Sequence, residues 1–257
     1  MTALLEAQSL SRRFGGIIAL DGVDVQVKAG EVLGLIGPNG SGKTTFFNVV
    51  TGIFAPHGGT VRFDGEDLTA ASAQTVYGKG IARTFQRSRL CLDLSVFENV
   101  VLGNGKHLDT RIFHALFRRR RLAREMDAQL AQVRALLERF DPELARAPLQ
   151  PTAGLPMIQR RRIEVCRALM ARPRLLLLDE PSAGMTHEET RRLMDDILAI
   201  RAEMGDLAIV IVEHDMATIE RVTDRCVVFN FGRKVCEGPY RAVVADPMVQ
   251  RAYLGEE

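Results

Sequence analysis

The sequence predicts an α/β fold in which apolar strands alternate with helices, and three stretches carry that prediction. The apolar run Val32–Ile36 ends at a glycine-rich loop and is followed by a mostly apolar helical segment. A second apolar run, Leu175–Leu178, ends in two carboxylates. Ahead of the loop, valines alternate with polar residues as in a half-buried strand, at Val23, Val25 and Val27.

Length and composition suit one large domain, or a core with a subdomain. The chain has 257 residues, of which 46% are hydrophobic, and a formal net charge of +2. A net charge this small does not indicate nucleic-acid binding. The four scattered cysteines form no C-x-x-C pair and indicate reduced thiols. We expect neither a signal peptide nor a membrane span, because the apolar runs fall far short of the ~20 residues needed.

The glycine-rich loop matches G-x-x-x-x-G-K-[ST], the pattern of a phosphate-binding loop. Its residues are Gly37, Pro38, Asn39, Gly40, Ser41, Gly42, Lys43, Thr44 and Thr45. The glycines allow backbone conformations that aim N–H groups inward, and a helix starting near Gly42 adds its positive end. Lys43 would reach the β- and γ-phosphates, and the Thr44 hydroxyl would ligate Mg²⁺. The alternative, a structural turn, is disfavoured by the strand before the loop and the helix after it.

Upstream of the loop, a strand is predicted over Leu4–Leu10, and Phe14 follows it near a turn. Phe14 has two interpretations. It is a core or an incidental residue, or its ring stacks on adenine, which is worth roughly 1–3 kcal/mol by analogy with base stacking. Ile17 or Ile18 could share that contact.

Between the loop and the middle of the chain, Thr60–Phe63 and the turn Asp64-Gly65 predict a hairpin, and so an antiparallel β-layer beside the loop strand. The stretch Ile81–Phe85 then leads to Gln86. A glutamine closing a strand near a phosphate site could contact Mg²⁺ or the attacking water. When Gln86 is considered alone, the favoured interpretation is an ordinary surface amide.

The middle of the chain is predicted to be helical. Ser95–Glu98 forms a capping box, and Leu108–Phe140 has the spacing of an amphipathic helix. Its apolar face comprises Met126, Leu130, Val133, Leu136, Leu137 and Phe140. The basic cluster Arg118–Arg121 is favoured as a solvated face. The alternative is contact with anionic lipid headgroups, at about 1 kcal/mol per basic residue.

The carboxylates after the second apolar run are Asp179 and Glu180. Ligands bind at the carboxyl ends of parallel strands, where Asp179 would hold Mg²⁺ through water and Glu180 would orient or deprotonate the attacking water. The alternative, two solvated acids, is weak when a phosphate-binding loop precedes them. His214 follows the next apolar strand, Leu207–Val212, and should face the same γ-phosphate.

Taken together, these residues resemble the ATP-binding subunit of an ABC transporter over essentially the whole chain. The importers of branched-chain amino acids look closest, although urea, short-amide and aromatic-acid importers look similar. The resembling segments are Phe14–Gly16, Arg83–Gln86, Asp179–Met185, Val212–Met216 and Ala252–Glu256. The resemblance implies an ATPase with ATP and Mg²⁺ as its cofactors.

The resemblance also implies an architecture. It predicts a P-loop NTPase (RecA-like) core over 1–86 and 166–257 that carries an antiparallel β subdomain, and a helical subdomain over 87–165 that touches membrane subunits. The implied catalytic residues are Lys43, Gln86, Glu180 and His214. The implied metal residues are Thr44, Gln86 and Asp179. Phe14 and the loop Gly37–Thr45 would bind the nucleotide.

The implied partners are transmembrane permease subunits, a second ATPase subunit and a periplasmic solute-binding protein, with no nucleic acid. Two ATPase subunits face each other head to tail, and each nucleotide lies between one phosphate-binding loop and the other subunit's signature loop. The chain would sit peripherally on the cytoplasmic face of the inner membrane. Two rival functions stay open: a soluble ABC ATPase not linked to transport, and a weakly catalytic regulatory subunit.

The chain departs from the family in the signature loop, where Leu155-Pro156-Met157-Ile158-Gln159 replaces Leu-Ser-Gly-Gly-Gln. Pro156 offers neither a hydroxyl nor an N–H. Either the composite site completed by this loop hydrolyses weakly, or neighbouring N–H groups and the helix start near Gln159 substitute. Because the signature loop completes the partner's nucleotide site, the missing hydrogen-bond donors would weaken that site and not the one at Lys43. We therefore favour an asymmetric heterodimer over a homodimer. A smaller departure is Thr186, where the family usually has Asp.

Overall fold

The computed structural model describes residues 3–107 and 119–254, and the chain divides into two units. The first contains Met1–Arg83, Arg174–Pro181 and Ile197–Glu257, and the second contains Thr84–Pro173 and Ser182–Asp196. The assignment of a RecA-like core to residues 1–86 and 166–257, and of a helical subdomain to residues 87–165, stays a prediction.

A six-stranded sheet forms the centre of the first unit. In spatial order its strands are β10 (Arg233–Gly238), β9 (Arg225–Asn230), β3 (Val32–Ile36), β8 (Ala208–Val212), β7 (Leu175–Asp179) and β6 (Ile81–Arg83). All neighbours pair in parallel except β9 with β10. Every residue of β3, β7 and β8 is buried, as expected for apolar strands covered on both faces. The segments that follow these three strands therefore lie along one edge of the sheet.

The first unit also contains an antiparallel sheet of four strands, as the hairpin signal predicted. Its order is β2 (Ile17–Lys28), β1 (Ala3–Phe14), β4 (Gly58–Phe63) and β5 (Glu66–Asp67). The three alternating valines of β2 are all buried, and β1 extends beyond the predicted strand to Phe14. One core joins apolar side chains of both sheets, with Phe46 and Phe47 fully buried between them.

The helices of the described residues alternate with the strands as the pattern predicted, with some additions. They are α1 (Lys43–Val50), α2 (Ala73–Gly78), α3 (Val96–Val101), the 3₁₀ helix Leu102–His107, α4 (Arg119–Phe140), α5 (Pro142–Arg146), α6 (Met157–Met170), α7 (His187–Met204), α8 (Met216–Val222), α9 (Tyr240–Val244) and α10 (Pro247–Leu254). The sequence did not indicate α2, the 3₁₀ helix, α5, α8, α9, α10 or strand β10. Gly238 is the last residue of β10.

In the second unit, α3, α4 and α6 pack on one another. The predicted face of α4 buries Val133, Leu137 and Phe140, whereas Met126 is 48% exposed. The capping box at Ser95 forms as predicted, because its hydroxyl accepts the Glu98 N–H while the Glu98 carboxylate accepts the Ser95 N–H. The first part of the predicted helix and the side chains of Arg118–Arg121 lie outside the described residues. Within the described part of the chain, no helix has the length and apolar character needed to cross a bilayer.

Candidate functional site

The glycine-rich loop joins β3 to α1, as the strand–loop–helix pattern predicted. Gly37 and Gly42 have φ values of 144° and 108°, which L side chains rarely adopt. A Cβ on Gly37 would lie 2.1 Å from the carbonyl oxygen of Phe229, and one on Gly42 would lie 2.6 Å from that of Ala19. Only glycine permits these close approaches of backbone to backbone, so β9 and β2 hold the loop in its curled form.

Lys43 is the first residue of α1, and its side chain turns back into the loop. The Nζ atom donates hydrogen bonds to the carbonyl oxygens of Gly37, at 2.7 Å, and Pro38, at 2.8 Å. Burial lowers the pKa of Lys43, while the charges of Glu180 and Asp179 oppose that shift. The amine is therefore held inside the loop and within electrostatic reach of both predicted carboxylates.

Ser41 supplies the test of whether the loop suits a phosphate. It is 3% exposed, and its Oγ has no hydrogen-bond partner within the described residues. A buried hydroxyl without a partner costs free energy that a phosphate oxygen would recover. The amine of Lys43 and the N-terminus of α1 belong to the same loop. The loop thus has the donors that a polyphosphate requires. Of the remaining loop residues, Asn39, Gly40 and Thr44 are exposed, and Pro38 and Thr45 are half-buried.

The carboxylates expected at the end of β7 lie where the sequence predicted. Asp179 closes the strand and is 2% exposed. Glu180 follows with a left-handed φ of 48°, and its N–H donates to the carbonyl oxygen of Val212 at 2.9 Å. Its Oε1 lies 2.8 Å from Nε2 of His214, which comes just after β8. The fold therefore joins Glu180 and His214 directly, at the sheet edge that also carries Lys43.

Arg83, the last residue of β6, is a site residue that the sequence did not single out. Its Nη2 lies 2.6 Å from Oδ2 of Asp179, and its Nη1 donates to Oδ1 of Asn48 at 2.7 Å. The guanidinium also lies over the ring of Phe47, 5.2 Å from its centroid. The available signal was a basic residue at the end of an otherwise apolar stretch.

Gln86 belongs to the second unit and lies three residues beyond the end of β6, so it does not close a strand as expected. Arg161 of α6 donates to the backbone oxygens of Phe85, at 3.1 Å, and Gln86, at 2.6 Å. Arg161 also pairs with Glu164 at 2.9 Å, and that carboxylate accepts the N–H of Arg89. The backbone around Gln86 is therefore fixed by α6, and the role of its side chain stays a prediction.

Phe14 is not a core residue. It is 39% exposed, its ring packs edge-on against Phe54 at 5.3 Å, and the guanidinium of Arg12 lies 4.9 Å from its centroid. Ile17 and Ile18 are also exposed. These contacts leave part of the ring accessible, and adenine stacking stays a prediction.

The two segments that depart from the family pattern both lie in the second unit. Pro156 immediately precedes α6, which begins at Met157, two residues earlier than the sequence suggested. Both residues are exposed. Thr186 caps α7: its Oγ1 accepts the Glu189 N–H, and the Glu189 carboxylate accepts the Thr186 N–H. These reciprocal bonds form a capping box at the start of α7.

Among residues 3–107 and 119–254, no three His, Cys, Asp or Glu side chains cluster closely enough to hold a metal ion by themselves. Mg²⁺ in phosphate-transfer sites is usually held by one or two protein ligands together with substrate phosphates. That the hydroxyl of Thr44 and the carboxylate of Asp179 hold such a cation stays a prediction.

A family model for ABC transporters matches residues 20–183, which include the glycine-rich loop and the carboxylates after β7. The chain belongs to the ABC transporter family. A second model, for branched-chain amino acid ATP-binding cassette transporters, matches residues 233–257. Members of this family bind and hydrolyse ATP, and the chain is an ATPase of this kind.

Individual relatives of this ABC ATPase are similar over nearly their full length. The high-affinity branched-chain amino acid transport ATP-binding protein BraF of Pseudomonas aeruginosa is 36% identical, with 98% of each chain covered. A nucleotide-free ATP-binding cassette from an ABC transporter has a TM-score of 0.84 at 29% identity, covering 99% of this chain and all of that one. The ADP conformation of the cassette MJ1267 has a TM-score of 0.83 at 27% identity, with both chains fully covered.

Proposed function

We propose that this ABC ATPase powers an importer of branched-chain amino acids or of a related small organic solute. One observation carries the proposal: Lys43, Asp179, Glu180 and His214 meet at one sheet edge, in a chain whose C-terminal residues match the branched-chain amino acid model. The name of BraF supports the same class of solute.

In the proposed site the loop Gly37–Thr45 holds the phosphates. Lys43 exchanges its two carbonyl partners for β- and γ-phosphate oxygens, and the Ser41 hydroxyl gains an acceptor. Thr44, Asp179 and Gln86 would hold Mg²⁺, which when bound would neutralise phosphate charge. Phe14 stacks on the adenine.

Glu180 is the proposed general base, which orients the attacking water and takes its proton. His214 lies at hydrogen-bond distance from Oε1 of that carboxylate and so restricts its rotation. From the same place, His214 also faces the γ-phosphate. Together the two side chains order the nucleophile and the group that it attacks.

The proposed partners are transmembrane permease subunits, which the helical subdomain at 87–165 contacts, and a periplasmic solute-binding protein on the other side of the membrane. The chain binds the cytoplasmic face of the inner membrane through these partners. A distinct second ATPase subunit closes over the nucleotide of Lys43 and makes the heterodimer asymmetric.

Uptake of radiolabelled leucine tests the proposal in cells that lack this chain. We expect the wild-type chain to restore uptake and Lys43→Ala to fail, because the lost amine removes phosphate binding. Arg174→Lys is a matched control, since Arg174 forms an exposed pair with Asp64 elsewhere in the first unit. Equal uptake with the wild-type chain and with Lys43→Ala would contradict the proposal.

A weakly catalytic regulatory subunit is a second candidate. Pro156 and Met157 stand exposed at the start of α6, where the family has serine and glycine. Full leucine uptake with Glu180→Gln, together with loss of uptake in Lys43→Ala, would favour this candidate, because nucleotide binding would then suffice.

A further inference from the structure

We propose that Arg83 is a positioning residue for the divalent cation of the nucleotide site, because it fixes the Asp179 carboxylate relative to helix α1. The inference deepens the proposed function and rests on it. Arg83 itself is not a ligand of the cation, since its guanidinium is always protonated.

The guanidinium of Arg83 bridges two elements of the first unit. Nη2 holds Oδ2 of Asp179 on β7 at 2.6 Å, and Nη1 donates to Oδ1 of Asn48 on α1 at 2.7 Å. A third contact on the same side, from Nη1 to Oγ1 of Thr51, is longer at 3.5 Å. A planar fork that bonds both elements at once fixes their spacing better than a single charge does.

The guanidinium of Arg83 bonds α1 at Asn48, close in sequence to a predicted metal residue. Asn48 is four residues after Thr44, so the two lie on the same face of the helix, one turn apart. Of the three predicted metal residues, Thr44 and Asp179 lie in the first unit. The Arg83 guanidinium contacts Asp179 directly and, through Asn48, the helix turn that follows Thr44.

Burial makes this bridge rigid. The side chains of Arg83 and Asp179 are only 5% and 2% exposed, and the guanidinium also packs over the ring of Phe47. A buried charge pair is strongly oriented, because water cannot replace either partner. One oxygen of the Asp179 carboxylate is thereby committed to Arg83, and the orientation of the whole group follows from that bond.

The test compares two variants with the wild-type chain. Arg83→Lys keeps the positive charge beside Asp179 but cannot bond Asn48 and Asp179 at the same time. Asn48→Ala removes only the α1 end of the bridge and leaves the charge pair intact, so it serves if Arg83→Lys does not fold. Arg174→Lys is the matched control for arginine replacement, because its pair with Asp64 is exposed.

Two affinities are measured for each protein. Electron paramagnetic resonance gives the affinity for Mn²⁺ in the presence of ADP, and a titration in EDTA gives the affinity for ADP without metal. We expect Arg83→Lys to weaken Mn²⁺ binding about 10–100-fold, as is usual for groups that orient metal ligands. Asn48→Ala weakens it less, in the same direction. ADP affinity in EDTA does not change, and Arg174→Lys matches the wild-type chain in both measurements.

A purely structural ion pair would give a different result. It would lower both affinities by the same factor, together with the melting temperature, and that outcome would overturn the inference. Unchanged Mn²⁺ affinity in Arg83→Lys and Asn48→Ala would overturn it as well, while leaving the proposed function intact. Failure of the wild-type chain to bind ADP would instead overturn both.

Discussion

The backbone conformation of Glu180 sets the direction of its side chain. It follows a fully buried strand, adopts a left-handed φ of 48° and is anchored through its N–H to Val212. Such a conformation is costly for a residue with a Cβ, and it persists where the surroundings fix it. Here it aims the carboxylate at His214, 2.8 Å away.

Replacing Glu180 with Gln tests the role of that carboxylate. We expect ATP to bind with wild-type affinity, because the amide has nearly the same shape. Hydrolysis should slow on the order of 10²–10⁴-fold, because the general base is lost. Phosphate release in a single turnover measures the rate, and unchanged turnover would remove Glu180 from this role.

Lys43 makes nucleotide affinity depend on pH. Burial lowers its pKa in the folded chain below the usual 10.5, so the charged amine costs folding free energy in full below the lowered pKa. That cost falls as pH rises from the lowered pKa towards 10.5 and vanishes above 10.5. Phosphate favours the charged amine. ADP affinity is therefore highest below the lowered pKa and falls as pH rises above it.

ADP titrations at a series of pH values below the ordinary lysine pKa of 10.5 check this dependence. We expect the affinity of the wild-type chain to fall at a lower pH than an ordinary lysine would produce. Lys43→Met should bind weakly and lose the dependence. A wild-type profile that is flat, or one that the Met variant shares, would exclude titration of Lys43 as the cause.

At the scale of elements, the glycine-rich loop offers a matched pair of positions. Both Gly37 and Gly40 have positive φ, but a Cβ at Gly37 would strike the Phe229 carbonyl, whereas a Cβ at Gly40 would meet nothing within 4 Å. Gly37→Ala should therefore lower the melting temperature and abolish ADP binding. Gly40→Ala should cost only about 1 kcal/mol of backbone strain.

Thermal unfolding and ADP titration of the two variants separate these effects. The same loss in both variants would mean that backbone strain alone, and not the contact with β9, makes glycine necessary in this loop.

The elements that the sequence predicted well are those with a strong local pattern. Strands β3, β7 and β8 are continuous apolar runs, and every one of their residues is buried. Strand β10 was missed because its residues are partly exposed and show no alternation. The short helices after Asp215 likewise lack a long apolar period.

Some residues of the candidate site could be predicted from the sequence and others could not. Lys43, Asp179 and Glu180 were predicted because each belongs to a motif with fixed spacing. Arg83 could not be predicted, because its partners Asn48 and Asp179 lie 35 and 96 residues away in the sequence and only the fold brings them together.

At the scale of the whole molecule, the altered signature segment predicts that this chain alone is a poor ATPase. Loss of one γ-phosphate donor costs about 2–4 kcal/mol, which corresponds to roughly a 30- to 1,000-fold slower reaction. Steady-state ATPase assays of the purified chain, alone and with its partner ATPase subunit, check this. Full cooperative turnover by the chain alone would contradict the asymmetric heterodimer.

The most direct test of the nucleotide site is a crystal structure of Glu180→Gln grown with ATP and Mg²⁺. We expect the triphosphate inside the loop Gly37–Thr45, with Nζ of Lys43 moved from the Gly37 and Pro38 carbonyls to phosphate oxygens and the metal between Thr44 and Asp179. A triphosphate bound elsewhere, with Lys43 still bonded to those two carbonyls, would contradict the account.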